Sequence, residues 1–71
     1  MSSFAGLREA SNMRQEDIAA KLGIDRSTVS KWEVGKAIPR GAILIKLTEL
    51  YNCTPDEIMA AISAAKQQSA S

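Results

Sequence analysis

Residues 23–33 read GIDRSTVSKWE, and this stretch decides the fold. Ile24, Thr28 and Val29 are β-branched, which suits a strand, while two serines and a threonine beside Arg26 and Lys31 suit a polar loop or a wet helix. A helix advances about 100° per residue. With Arg26 at the origin, Ser30, Val34, Ser27 and Lys31 fall between about 40° and 140°, and Thr28, Trp32 and Val29 between about 200° and 300°. The polar and core residues separate as a helix requires. A strand would alternate, and Ser27-Thr28-Val29-Ser30 does not. The reading is a helix from Arg26 to about Val34, capped by Asp25 and stopped by Gly35.

Working outward, Gln15 to Leu22 form the preceding helix, with Ile18, Ala19 and Leu22 as its apolar stripe. Gly23 follows, where a left-handed residue ends a helix without a Cβ penalty. Two helices joined by Gly23-Ile24-Asp25 make a helix-turn-helix. Its physical requirements are met in one window. Ala19 is small where the helices approach, Gly23 tolerates positive φ, and Ile18, Leu22, Ile24, Val29 and Trp32 fill the angle.

Before this unit, Ser2 or Ser3 caps a helix running to about Ser11, with Phe4, Leu7 and Ala10 on one face; Asn12-Met13 is the break. After it, Lys36 to Arg40 is a loop around Pro39. A fourth helix spans about Gly41 or Ala42 to Tyr51, with Leu44, Leu47, Leu50 and Tyr51 facing the core, and Asn52 stops it. Thr54-Pro55-Asp56-Glu57 signals a fifth start: a cap, Pro at the first helical position and Glu at the capping-box position. That helix runs to about Ala65. The expectation is an all-α five-helix bundle over residues 1–65, with a polar, disordered tail at 66–71.

Composition narrows the function. The 71 residues make one small domain with a thin core, containing one Phe, one Trp and one Tyr. There is no histidine, no phosphate-binding loop, no metal-ligand cluster and no nucleophile beside a base, so neither an enzyme nor a cofactor is expected. Cys53, the single cysteine, excludes an internal disulfide and suits a reducing cytoplasm; it is expected to be buried. No apolar run is long enough to span a membrane, and no signal peptide is read. Net charge is only +1, but between Arg14 and Lys46 seven basic residues face four acids, which permits an anionic partner.

From Leu7 to Met59 the chain resembles the Cro/cI-type repressor domain, or XRE family. The resemblance is carried by LREA at 7–10, QEDIAAKLGIDRSTVSKWEVGK at 15–36, and IP, LIKLTEL and PDEI beyond. It implies a compact lambda-repressor-like bundle of prokaryotic or phage type. Such a domain binds double-stranded operator DNA, usually palindromic, as a homodimer, and helix 26–34 lies in the major groove. By resemblance Arg26, Ser27 and Lys31 meet base edges. Arg26 can offer two donors to guanine, and Thr28, nearer the core side, assists. Gln15, Arg14, Ser30, Lys36 and Arg40 are expected at the sugar–phosphate backbone. The resemblance also places Gln15 at the start of the third helix and pairs Glu33 with Arg8 in a largely buried ion pair. Two positions depart from the pattern: Arg14 and Arg40 stand where the family has capping residues, with Gly41 following. The covered circumference of helix 54–65 suggests a second copy as its partner. The expected function is a transcriptional regulator, a repressor by type; the alternative is a protein-interaction module such as an antitoxin or antirepressor-like adaptor.

Overall fold

The computed structural model describes residues 3–69 and holds five helices: α1 (Phe4–Ala10), α2 (Gln15–Leu22), α3 (Arg26–Val34), α4 (Ala42–Leu50) and α5 (Pro55–Ser69). No strand occurs among the described residues. Each boundary has a local cause. Ser3 Oγ accepts the Gly6 amide at 3.0 Å and starts α1, which ends before Asn12 at φ 58°. Asn tolerates this left-handed backbone better than most side chains.

The two helices of the helix-turn-helix unit end alike. Past α2, the Ile24 amide donates to Ala19 O at 3.0 Å and Gly23 to Ala20 O at 3.4 Å. Past α3, the Lys36 amide donates to Lys31 O at 2.9 Å and Gly35 to Trp32 O at 3.3 Å. Both are Schellman closures, which satisfy two carbonyls that a helix end would leave free. They turn the chain tightly, so α3 leaves α2 after three residues. At the start of α5, Glu57 Oε1 accepts the Thr54 amide and Thr54 Oγ1 accepts the Glu57 amide, each at 3.2 Å.

The core is assembled around α5, which packs against α1, α3 and α4. Ile58, Ala61, Ile62 and Ala65 supply its buried stripe at i, i+3, i+4 and i+7. They meet Phe4, Ile18, Ala19, Val29, Trp32, Leu47 and Tyr51. Leu7, Leu22, Leu44, Leu50 and Cys53 are only partly buried at its margin. Burial still pushes the Cys53 thiol pKa up. Ala10, expected on the inner face of α1, is exposed, because a seven-residue helix presents too little face to bury its last turn.

One cap and one boundary differ from the sequence reading. The cap of α4 is Gly41, not Arg40, so no cation occupies that helix start. Gly41 stands at φ 62°, ψ −136°, a conformation that side chains with a Cβ strongly avoid. This explains the glycine immediately before α4. Further on, α5 continues past Ala65 to Ser69, so the expected tail is helical for most of its length. Lys66, Gln67 and Gln68 are good helix formers, and elongating an existing helix needs no new nucleus. Ser2, the other cap considered for α1, and Ala70-Ser71 lie outside the described residues.

Gly41→Ala and Gly23→Ala separate two kinds of strain. Neither added Cβ meets an atom within 4 Å, so any loss is conformational. Gly23 sits in the left-handed helical region at φ 69°, ψ 37°, where alanine costs about 1 kcal/mol and asparagine less. At Gly41 both alanine and asparagine should cost about 1–3 kcal/mol. Urea unfolding followed by Trp32 fluorescence checks this. Equal losses for Gly23→Asn and Gly41→Asn would refute the distinction.

Candidate nucleic-acid interface

α3 has one buried side and one open side. Val29 and Trp32 are buried, while Arg26, Ser27, Lys31 and Val34 are exposed and Thr28 and Ser30 are half-buried. The open side therefore carries a guanidinium, a hydroxyl and an ammonium in two turns. Asp25 occupies the cap position with extended backbone, but its exposed carboxylate accepts no capping hydrogen bond. The Thr28 amide is met by the Asp25 carbonyl at 3.0 Å instead. Water competes well for an exposed carboxylate, and the backbone alone closes this first turn.

The cations differ in their surroundings. Among the described residues, Arg26, Lys31, Lys36 and Arg40 make no ion pair, and all four are exposed. Arg14, at the start of α2, has Glu16 Oε1 at 3.5 Å and Asp17 Oδ2 at 3.6 Å. Its side chain is 78% exposed, so these pairs hold it weakly and water screens them. Arginine cannot accept a hydrogen bond, so α2 lacks a capping oxygen at this residue. Asp17 Oδ2 compensates by accepting the Arg14 amide at 2.8 Å, which also lowers the Asp17 pKa.

Behind the open face lies a polar cluster. Arg8 Nε donates to Glu33 Oε2 at 2.7 Å and Arg8 Nη2 to Glu33 Oε1 at 3.3 Å. The two side chains are 14% and 9% exposed. Arg8 Nη1 also donates to the Met13 carbonyl at 3.0 Å. Gln15 Nε2 donates to Glu33 Oε1 at 2.9 Å. The resemblance places Gln15 at the start of α3; the structure sends its amide to the other end of that helix. A carboxylate is a stronger acceptor than a backbone or neutral side-chain oxygen, and Glu33 lies within reach. The amide has a second N–H. The hydrogen bond to Glu33 raises the Arg8 pKa.

Sequence reasoning could not find the Met13 carbonyl, because a backbone acceptor leaves no signature in residue type. It placed Val34 on the polar side of α3 without giving it a role. Beyond this face, the described residues hold no cluster of metal-ligating side chains and no helix long and apolar enough to cross a membrane.

Tyr51 borders the cluster. Its hydroxyl is buried without a hydrogen-bond partner, and burial, then the Glu33 charge, push its pKa up to about 12. The neutral form is therefore favoured by folding. Stability is full below the unfolded value near 10 and falls as pH rises toward 12. As Tyr51 is the single tyrosine, its ultraviolet absorbance reports the titration directly. Tyr51→Phe should remove this part of the alkaline loss. It should also gain about 1 kcal/mol or more at neutral pH by removing an unpaired buried hydroxyl. A tyrosinate midpoint near 10 in the folded protein would contradict the burial.

Comparison with known proteins places this geometry. The sequence model of a family described as "Helix-turn-helix" matches residues 5–58. Over 53 residues, 75% of this chain, the sequence is 36% identical to the HTH-type transcriptional activator BcrR of Enterococcus faecalis. The match spans 26% of that relative's length. No solved structure matches the chain.

Proposed function

The chain belongs to the Cro/cI-type (XRE) helix-turn-helix family, and from that membership we propose that it is a DNA-binding transcription regulator that lays α3 in the major groove. The observation that carries the reading is the open face of α3, with Arg26, Ser27 and Lys31 exposed and, among the described residues, no acid paired to either cation. Arg26 is suited to the two acceptors of a guanine edge, with Ser27 and Lys31 beside it and Thr28 in support. Arg14, Lys36 and Arg40 suit phosphates, which position a protein without reading sequence. The free N–H of Gln15 and the Ser30 hydroxyl suit the same role. Occluding polymerase represses and touching it activates. The sequence expectation is a repressor, whereas the named relative is an activator.

A homodimer on a palindromic operator, in the cytoplasm, completes the proposal. Its support is a cleft of about 190 Å³ between α4 and α5, lined by Leu44, Ile45, Thr48, Pro55, Ile58 and Met59. Ile45 and Met59 are 64% and 56% exposed. The Thr48 hydroxyl donates to Ile45 O within its own helix, so the cleft offers little to a polar ligand. A two-fold interface would place the exposed Ile45 and Met59 of one copy against the cleft of the other.

A salt series tests the reading. Binding to duplexes selected from a random library should weaken with a log–log slope of roughly −0.9 per phosphate contact, or about −5 for two copies each using Arg14, Lys36 and Arg40. A flat response would favour the interaction-module reading, which the near-neutral net charge of +1 otherwise suits. Arg14→Ser should reduce the slope by about 0.9 per copy and stabilise the fold by about 1 kcal/mol through a regained cap. Unchanged affinity and slope in that variant would remove Arg14 from the interface.

A further inference from the structure

Two donors meet at one oxygen of Glu33. Arg8 Nε donates to Oε2 at 2.7 Å, but the other leg of that ion pair, Nη2 to Oε1, is longer at 3.3 Å. The closer donor to Oε1 is Gln15 Nε2 at 2.9 Å. Arg8 already neutralises the carboxylate, so the charge of Glu33 does not require Gln15. What the bond determines is the state of the glutamine.

A glutamine amide at a surface can turn either its oxygen or its nitrogen to a partner. A carboxylate only accepts, so Nε2 is the end that must face Glu33. The Glu33 side chain is 9% exposed and tied to Arg8, which makes it a fixed anchor. Gln15, half-buried as the first residue of α2, stands between this anchor and solvent. The two N–H bonds of one planar amide diverge, so a single oxygen of Glu33 engages one of them. The other is left for an outside acceptor, on a side chain whose rotamer is already set.

We propose that Glu33 is a positioning residue for DNA: by holding one N–H of Gln15 it presents the other to a backbone phosphate, so the ion pair of the fold also sets affinity. The inference rests on the proposed DNA binding by α3, and adds a role for a side chain that itself faces the protein. Immobilising a rotamer-rich side chain on binding costs about two- to tenfold in affinity, and here that ordering is done on folding.

The test is a double-mutant cycle on binding to duplexes that the protein selects from a random library. Gln15→Met keeps the length of the side chain and removes both donors. It should weaken binding with an unchanged salt slope, because Gln15 carries no charge. Glu33→Gln should lose about two- to tenfold in the wild-type background and nothing further in Gln15→Met. Equal losses for Glu33→Gln with and without Gln15 overturn the proposal and assign the effect to the placement of α3. So does wild-type affinity in Gln15→Met. NMR relaxation of the side-chain amides in the free wild-type protein needs no variant, and decides the case where Glu33→Gln fails to fold. The Gln15 amide should be as rigid as helical backbone, and one of its two protons should shift when duplex is added. An amide as mobile as that of exposed Gln67 overturns the proposal. If binding remains steeply salt-dependent in any of these failures, the role of Glu33 alone is lost. If no duplex binds, the DNA-binding reading fails and this inference with it.

Discussion

The Glu33 carboxylate holds this small structure together. It receives three N–H donors: Arg8 Nε and Nη2 from α1 and Gln15 Nε2 from α2, while Glu33 itself sits on α3. The same guanidinium holds the Met13 carbonyl in the turn between α1 and α2. Glu33 and Arg8 together therefore fix three helices and a turn. A nearly buried ion pair gains little over apolar packing, because both charges must be desolvated. Its value is directional, since apolar ridge-and-groove packing favours only broad classes of crossing angle between helices. In a 71-residue chain with three aromatic residues, the apolar core alone leaves that angle loosely specified.

The angle matters because it sets where α3 presents Arg26, Ser27 and Lys31. The cluster also disposes of a charge. A free carboxylate on a DNA-facing helix would repel phosphate, but Glu33 faces inward and is neutralised by Arg8. The charged side chains left on the open face of α3 are Arg26 and Lys31, both cationic. Helix-turn-helix geometry, inward acid and outward base follow from one arrangement of α1, α2 and α3.

Much of this was legible in the sequence, because most of these helix ends have local chemical causes. Gly23, Gly35, Asn52 and the Thr54–Glu57 pair mark their boundaries in residue type, and α3 is recognised by its wheel despite its β-branched residues. The resemblance drew attention to Arg8 and Glu33, which stand 25 residues apart. What escaped had its cause elsewhere in space or in the backbone. The α4 cap moved from Arg40 to Gly41 because a backbone conformation, not a side-chain oxygen, starts that helix. Gln15 follows the strongest nearby acceptor, which a linear reading places at no particular distance. Ala10 and the last turn of α5 depend on how far neighbouring helices reach, and no local pattern records that.

The most direct test of the account is a double-mutant cycle on Arg8→Ala and Glu33→Ala, with unfolding free energies from urea denaturation followed by Trp32. Removing one partner leaves the other charge nearly buried and unpaired, so each single variant should lose about 3–5 kcal/mol. The double variant should lose clearly less than the sum, by at least about 1 kcal/mol of coupling. Additive losses, or a cost below about 1 kcal/mol for Arg8→Ala, would show that the bundle does not depend on this pair.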